Sequence, residues 1–153
     1  LTKVEHLPLL DLLEISLHDF IKFVRNVPMD KIDYVYAEGK WTLKDIIQHI
    51  IDSERVFCYR ALCIARNDQT ALPSFDENFY AHQVDTSLRS ISSLLSELAT
   101  VRESTLSLFK TFSEVDLKKY GNAANSVISV RALGFIIIGH QKHHQEVFNE
   151  RYM

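Results

Sequence analysis

The chain has 153 residues, 46% of them hydrophobic and 24% charged, with a formal net charge of -3 and no cluster of lysines and arginines. This length and composition predict one soluble globular domain, residues 1–153, and argue against nucleic acid as the main partner, because phosphate binding needs concentrated positive charge. The longest apolar stretches are too short to cross a membrane and no basic-then-apolar signal sequence is visible, so we expect no membrane partner and a cytoplasmic location.

Helical periodicity runs along nearly the whole chain, and the alternation that marks β-strands is hard to find. The first helix is predicted from about Pro8 to Asn26, where apolar residues recur at helical spacing. The second is predicted to start at Thr42, because Asp45 stands three residues later as its partner in a capping box. It continues to about Asn67, where turn residues accumulate.

The second half of the chain contributes two more predicted helices. The third begins near Ser87 or Ser90 and runs through Phe112. The fourth, with Ser129 as its N-cap, comprises the segment VRALGFIIIGHQKHHQEVFNERY. Four such helices predict an all-α four-helix bundle, and the long connections between them leave the connectivity beyond simple up-down open. Residues 73–82, in one of these connections, would form either a lid over one end of the bundle or a solvated loop.

Two histidines of the fourth helix lie on its apolar face. With Leu133 placed at zero on a helical wheel, Ile137, His140 and His144 all fall within about 40° of it. His143 falls about 80° to one side. Their four-residue spacing places His140 and His144 on adjacent turns, near enough to share one ion. Burial would keep both rings neutral, which is the form that a metal needs.

The HxxxH spacing by itself leaves an alternative open, namely two core histidines satisfied by hydrogen bonds. A metal would require a third ligand from elsewhere in the chain. His49, at the border of the apolar face of the second helix, is the best candidate, and a hydrogen bond to a backbone carbonyl is its alternative role. His6, His18 and His82 lie in less favourable places.

One acidic residue interrupts the apolar face of the second helix. Glu54 falls near the middle of that face, and a buried carboxylate must be paired, protonated or linked to a metal. The sequence leaves two interpretations open. Either Glu54 forms an ion pair with an arginine such as Arg131, or it supports the metal as a second-shell group or a fourth ligand.

Two segments resemble a known family. KWTLKDIIQHIIDSERVFCYRAL is similar to the second helix of the DinB-like four-helix proteins, which include bacterial thiol transferases of the YfiT type, and GHQKHHQEVFNERY is similar to their closing helix. The resemblance covers nearly the whole chain. It implies a divalent-metal site of three histidines, which map to His49, His140 and His144. His143 then corresponds to a possible second-shell neighbour rather than a ligand, and no substrate-binding residue is implied.

A metal held by three neutral histidines keeps positions open for water or substrate, as in catalytic zinc sites. Together with the resemblance, this predicts a metal-dependent enzyme of the thiol S-transferase type, in which a small thiol attacks an electrophile. Metal-dependent hydrolysis by an activated water is the close variant. A non-enzymatic bundle that binds a metal or small ligand, or a purely structural helical module, is the alternative.

Imidazole ligands suit several ions, so the sequence does not fix the metal; zinc or nickel is expected, with iron or manganese as alternatives. The two cysteines, Cys58 and Cys63, fit neither a CxxC pair nor a zinc knuckle, and we expect reduced, partly buried thiols. Apolar residues such as Ile91, Leu94 and Leu95 would permit a homodimer.

Overall fold

Four long helices make up most of the molecule. A computed structural model describes residues 8–153, so His6 and the first seven residues of the predicted domain lie outside the described range. The long helices are α1 (Leu9–Arg25), α2 (Leu43–Ala65), α4 (Ile91–Lys110) and α6 (Val130–Tyr152), and the short ones are α3 (Glu77–His82) and α5 (Glu114–Leu117). The all-α four-helix bundle predicted from the sequence is confirmed.

The starts of α2, α4 and α6 are fixed by local hydrogen bonds, which is why the sequence located them well. The Thr42 hydroxyl accepts a hydrogen bond from the Asp45 backbone N–H at 3.2 Å, and the Asp45 carboxylate accepts one from the Thr42 N–H at 3.0 Å. This capping box forms with aspartate in place of the usual glutamate. Ser90 caps α4 and Ser129 caps α6 in the same local manner. The alternative start at Ser87 lies in a separate 3₁₀ turn.

The four long helices are not arranged in simple up-down order. Helix α2 packs mainly against α4 and α6, and α1 packs mainly against the same two helices. Consecutive helices α1 and α2 are therefore diagonal partners, as are α4 and α6. Diagonal placement requires long connections, which residues 26–42 and 111–129 supply. This packing places one face of α2 directly against the apolar face of α6.

A small β-hairpin, which the sequence analysis did not predict, precedes α6. Strands β1 (Tyr120–Ala123) and β2 (Ser126–Ser129) pair antiparallel. The two turn residues, Ala124 and Asn125, have φ of 51° and 64°, the left-handed conformation of a two-residue hairpin turn. Four residues per strand are too few for an alternating pattern to stand out.

The apolar residues suggested as a dimer surface lie in or against the core. Leu94 and Leu95 are 0% and 5% exposed and belong to the core, where Ile91 packs against them, so they cannot supply the dimer surface suggested for them. Both Cys58 and Cys63 are free thiols, half-buried and buried respectively. Within residues 8–153, no helix is both long and apolar enough to cross a membrane.

Candidate metal centre

Three histidine side chains from two helices converge inside the bundle. The Nε2 atoms of His49 on α2 and His140 on α6 lie 2.9 Å apart, and those of His140 and His144 lie 3.2 Å apart. One ligand atom from each ring lies within 4.8 Å of the others. His49 is 5% exposed, and the other two rings are half-buried. The structure thus brings together the three histidines that the sequence and the family resemblance singled out.

Aromatic rings surround this histidine cluster. The ring centroid of Trp41, just before the N-cap of α2, lies 4.8 Å from that of His49 and 6.2 Å from that of His144. Phe57 stands two turns after His49 on α2, and its ring centroid lies 5.6 Å from that of His140. These rings hold the imidazoles in place and reduce their hydration, because aromatic surfaces offer few hydrogen bonds to water.

The environment keeps all three imidazoles neutral. Burial lowers the pKa of His49 to about 4, of His140 to about 3 and of His144 to about 4. Repulsion between neighbouring imidazoles is the second cause in each case. A neutral imidazole carries a ring-nitrogen lone pair, which is what a metal ion binds.

The two shorter nitrogen–nitrogen distances in the histidine cluster match the spacing of ligands around one cation. Metal–nitrogen bonds of about 2.0–2.1 Å separate neighbouring ligand atoms by about 2.9 Å in octahedral and about 3.4 Å in tetrahedral geometry. Two of the three observed distances, 2.9 and 3.2 Å, fall in this interval, and the three ligand atoms all lie within 4.8 Å of one another. A neutral imidazole nitrogen has only one lone pair, so Nε2 of His140 cannot accept two full hydrogen bonds from its neighbours. A cation shared by three lone pairs satisfies all of them.

One candidate ligand, His49, is oriented by a residue that the sequence reasoning missed. Nδ1 of His49 lies 3.4 Å from the hydroxyl of Ser53, which is 0% exposed. Such outer partners fix the ring orientation and tautomer of a metal-binding histidine. Ser53 stands one turn after His49 on the same helix, and this i,i+4 relation was the available signal.

Glu54 is buried and ion-paired, and its partner is Arg102 rather than Arg131. Arg102 donates to the Glu54 carboxylate through Nη2 at 2.7 Å and Nε at 3.0 Å. The Thr105 hydroxyl donates to the same carboxylate at 2.6 Å. Arg131 is exposed on α6 and pairs with Glu114 instead. Among the described residues, no histidine makes a hydrogen bond with Glu54, so its carboxylate belongs to a network beside the histidine cluster.

That network ties α6 to the rest of the bundle next to the ligands. Arg102 also donates to the Leu13 carbonyl at 2.8 Å and to the Gln141 side-chain oxygen at 2.8 Å. Gln141 in turn donates to the Ser16 carbonyl at 2.7 Å. Because Gln141 follows His140 directly, these bonds fix the rotation of α6 and hence the direction of the imidazole.

The other three histidines of residues 8–153 lie outside the cluster. His143 is exposed, and its ring contacts that of His144 with centroids 5.4 Å apart. Its position beside a candidate ligand agrees with the role of neighbour expected for it. His18 and His82 are exposed, and His82 bonds through Nδ1 to the Asn78 carbonyl of its own helix.

A carboxylate from residues 73–82 lies close to the histidines. The sequence analysis allowed this segment to be either a lid or a solvated loop. Asp76 caps the short helix α3, and Glu77 follows as its first residue. The Glu77 Oε2 atom lies 3.4 Å from Nε2 of His49. Since His49 is neutral, this contact is not an ion pair. Sequence reasoning did not assign Glu77 to the site, because its approach depends on how α3 folds over α2.

An open cavity of about 220 Å³ adjoins the histidines on the side of His144. Its walls combine aromatic and aliphatic side chains with a few polar groups. They are formed by Tyr36, Gly39, Lys40, Trp41, Ile46, Asn78, His144, Val147 and Tyr152. The cavity is much larger than a water molecule and would hold part of an organic molecule.

The histidine cluster predicts how the metal-free protein responds to acid. The three folded-state pKa values lie near 3–4, below the ordinary value of 6.5. The unfolded chain therefore binds more protons between these values, so stability is complete above about pH 6.5 and falls as the pH is lowered toward 4. Thermal unfolding of chelator-treated protein from pH 7 to 4 measures this loss. His140→Ala should flatten the dependence and His143→Ala should not; equal slopes in all three proteins would contradict the assignment.

The chain is similar in sequence to a known protein family and to two named proteins. The family model described as the DinB superfamily matches residues 12–148. Two proteins of Oceanobacillus iheyensis, both provisionally named metal-dependent hydrolases, are similar in sequence. The first is 28% identical over 123 residues, covering 79% of this chain and 70% of the relative. The second is 24% identical over 134 residues, covering 84% and 77%.

Solved structures share the fold. YfiT from Bacillus subtilis, described as a probable metal-dependent hydrolase with an unusual four-helix bundle topology, matches with a TM-score of 0.79 at 21% identity, over 93% of this chain and 82% of YfiT. A mycothiol-dependent maleylpyruvate isomerase matches with a TM-score of 0.70 at 14% identity, over 95% of this chain and 62% of the isomerase. At these identities the matches establish the bundle architecture alone.

Proposed function

The chain belongs to the DinB superfamily, and from that premise we propose that it is a metal-dependent enzyme whose His49, His140 and His144 hold one divalent ion through their Nε2 atoms. The observation that carries the proposal is the convergence of three neutral imidazoles whose ligand atoms all lie within 4.8 Å of one another. Zinc or nickel is the expected ion, with iron or manganese as alternatives, since all accept imidazole nitrogen.

The chain's own residues suit activation of a nucleophile. When bound, the ion supplies Lewis-acid chemistry that lowers the pKa of a thiol or water beside it. Its three ligands are neutral and cancel none of its charge. Oε2 of Glu77, 3.4 Å from the ring of His49, is placed to accept the proton that the nucleophile releases.

Thiol transfer is the first candidate reaction. The cavity beside His144 has room for part of an organic molecule, which in this reaction is the thiol co-substrate. One protein with the same bundle fold is a mycothiol-dependent isomerase. In the proposed reaction the thiol sulfur forms a bond to an electrophilic carbon. The leaving group departs with the electron pair of the bond that breaks, and Glu77 takes the thiol proton.

Hydrolysis is the second candidate, favoured by the provisional names of the two Oceanobacillus relatives and by the description of YfiT. Water would then replace the thiol as nucleophile, and Glu77 would serve as the same proton acceptor. The two reactions differ in whether product formation needs an added thiol.

The test is an activity panel on untagged, metal-loaded protein. We expect thiol adducts with a general electrophile such as 1-chloro-2,4-dinitrobenzene, and at least about a 100-fold lower rate after chelation, because removal of a transition-state stabiliser has effects of this order. Added zinc or nickel should restore the rate. Product formed from ester substrates without any thiol would favour hydrolysis. If the metal-bound protein forms no product in either assay, a non-enzymatic bundle that binds a metal or small ligand is favoured.

A further inference from the structure

Two cations share one tyrosine ring at the edge of the cavity beside His144. The Lys40 ammonium lies 5.8 Å from the ring centroid of Tyr36, and the Arg151 guanidinium carbon lies 5.4 Å from it. Arg151 also donates a hydrogen bond to the Tyr36 hydroxyl at 3.0 Å. Among residues 8–153, no carboxylate lies within 4 Å of either cation.

Within the described part of the chain, Lys40 and Arg151 thus lack a carboxylate partner at ion-pair distance. By contrast, Arg55, Arg89 and Arg131 each pair with a glutamate. Two unpaired cations on one ring attract an anionic group, and an oxyanion would accept hydrogen bonds from both. An ion held by three neutral histidines would add to the same positive field.

The cavity connects this cation pair to the histidine cluster. His144 lines it, and so do Lys40 and Tyr36, the tyrosine beside which both cations lie. Arg151 stands seven residues after His144 on α6, so the two share a face two helical turns apart. Their backbones are therefore separated by about 10 Å along the helix axis. Between them the wall is largely apolar, with Trp41 and Val147.

We propose that this cavity selects a thiol co-substrate that carries an anionic group, such as a carboxylate, about 10 Å from its sulfur. The anionic group lies between Lys40 and Arg151. The apolar part of the molecule packs on Trp41 and Val147, and the sulfur reaches the ion beside His144. This inference rests on the proposed function and names the chemical class of its thiol.

The test measures thiol binding rather than turnover. Cobalt-loaded protein is titrated with 6-mercaptohexanoate and with the neutral 6-mercapto-1-hexanol of equal length, and the near-ultraviolet sulfur-to-cobalt charge-transfer band reports coordination. We expect the carboxylate to bind about five- to ten-fold more tightly, as partly screened ion pairs allow. High salt should reduce the difference. The shorter 3-mercaptopropionate should show no such advantage over its alcohol.

The matched variants remove equal charge at two places. Lys40→Met/Arg151→Met should abolish the preference for the carboxylate over the alcohol. Lys22→Met/Arg25→Met, on exposed positions of α1, should retain the preference. Equal affinity for carboxylate and alcohol in the unmodified protein, or loss of the preference in both variants, overturns the inference while thiol activation stands. If no thiol produces the band, the inference falls together with the thiol-transfer proposal.

Discussion

Replacing both His140 and His144 by alanine should lower metal affinity by more than about 100-fold and leave the purified protein without stoichiometric metal. Loss of an outer partner of a metal ligand already costs about 10–100-fold, and this variant removes two of three proposed ligands. Only His49 would remain, and a single imidazole does not hold a divalent ion tightly. Elemental analysis of untagged protein and competition with a chromophoric chelator give occupancy and affinity.

His143→Ala is the matched control for this variant. It removes an imidazole from the same helix, next to His144 in sequence, but the ring is exposed and outside the cluster. Its metal content should equal that of the unmodified protein. His49→Ala tests the ligand contributed by α2 on its own and should lose metal as well. Retention of full metal occupancy by the double variant would refute the three-histidine site.

Replacing Arg102 by alanine should lower the free energy of unfolding by about 3–5 kcal/mol. Glu54 and Arg102 are 2% and 0% exposed, so the variant leaves a carboxylate buried without its counter-charge. The Leu13 carbonyl and the Gln141 side chain would lose a donor at the same time. Such a loss is a large part of the total stability of a domain. Urea unfolding followed by circular dichroism measures it.

Arg131→Ala provides the comparison. Its pair with Glu114 has the same 2.7 Å distance but is exposed, so its removal should change stability by less than about 1 kcal/mol. Should Arg102→Ala prevent folding, the double variant Arg102→Met/Glu54→Leu removes both charges together and should be far less destabilised. Equal effects of Arg102→Ala and Arg131→Ala would mean that the buried network does not stabilise the fold.

Helix ends and the pair of histidines on the last helix were predictable because they depend on neighbouring residues. Thr42 with Asp45 forms its capping box within four residues, and His140 with His144 shares a face because of the helical repeat. The hairpin around Ala124 and Asn125 escaped notice because its strands are too short to show a period. The diagonal packing of α1 and α2 also has no signature in the sequence of either helix.

The sequence alone did not identify which residues that are distant in the chain contact one another. The apolar position of Glu54 required a counter-charge, yet Arg102 is 48 residues away and α4 had to pack against α2 before the pair could form. His49 entered the site through family resemblance, since its place at the border of an apolar face allowed other roles. Glu77 and the cation pair on Tyr36 emerged only from the folded arrangement.

By itself, the sequence determined the four long helices, the caps of α2, α4 and α6, and the histidine-bearing face of α6. These features follow from hydrogen bonds and side-chain spacing within one helix. Only the tertiary structure decided that His49 approaches to within 2.9 Å of His140, that Arg102 neutralises Glu54, and that Lys40 and Arg151 meet on one ring. The physical reason is that a side chain's charge and metal-binding capacity are fixed by its type, while its partner is fixed by how separate helices pack.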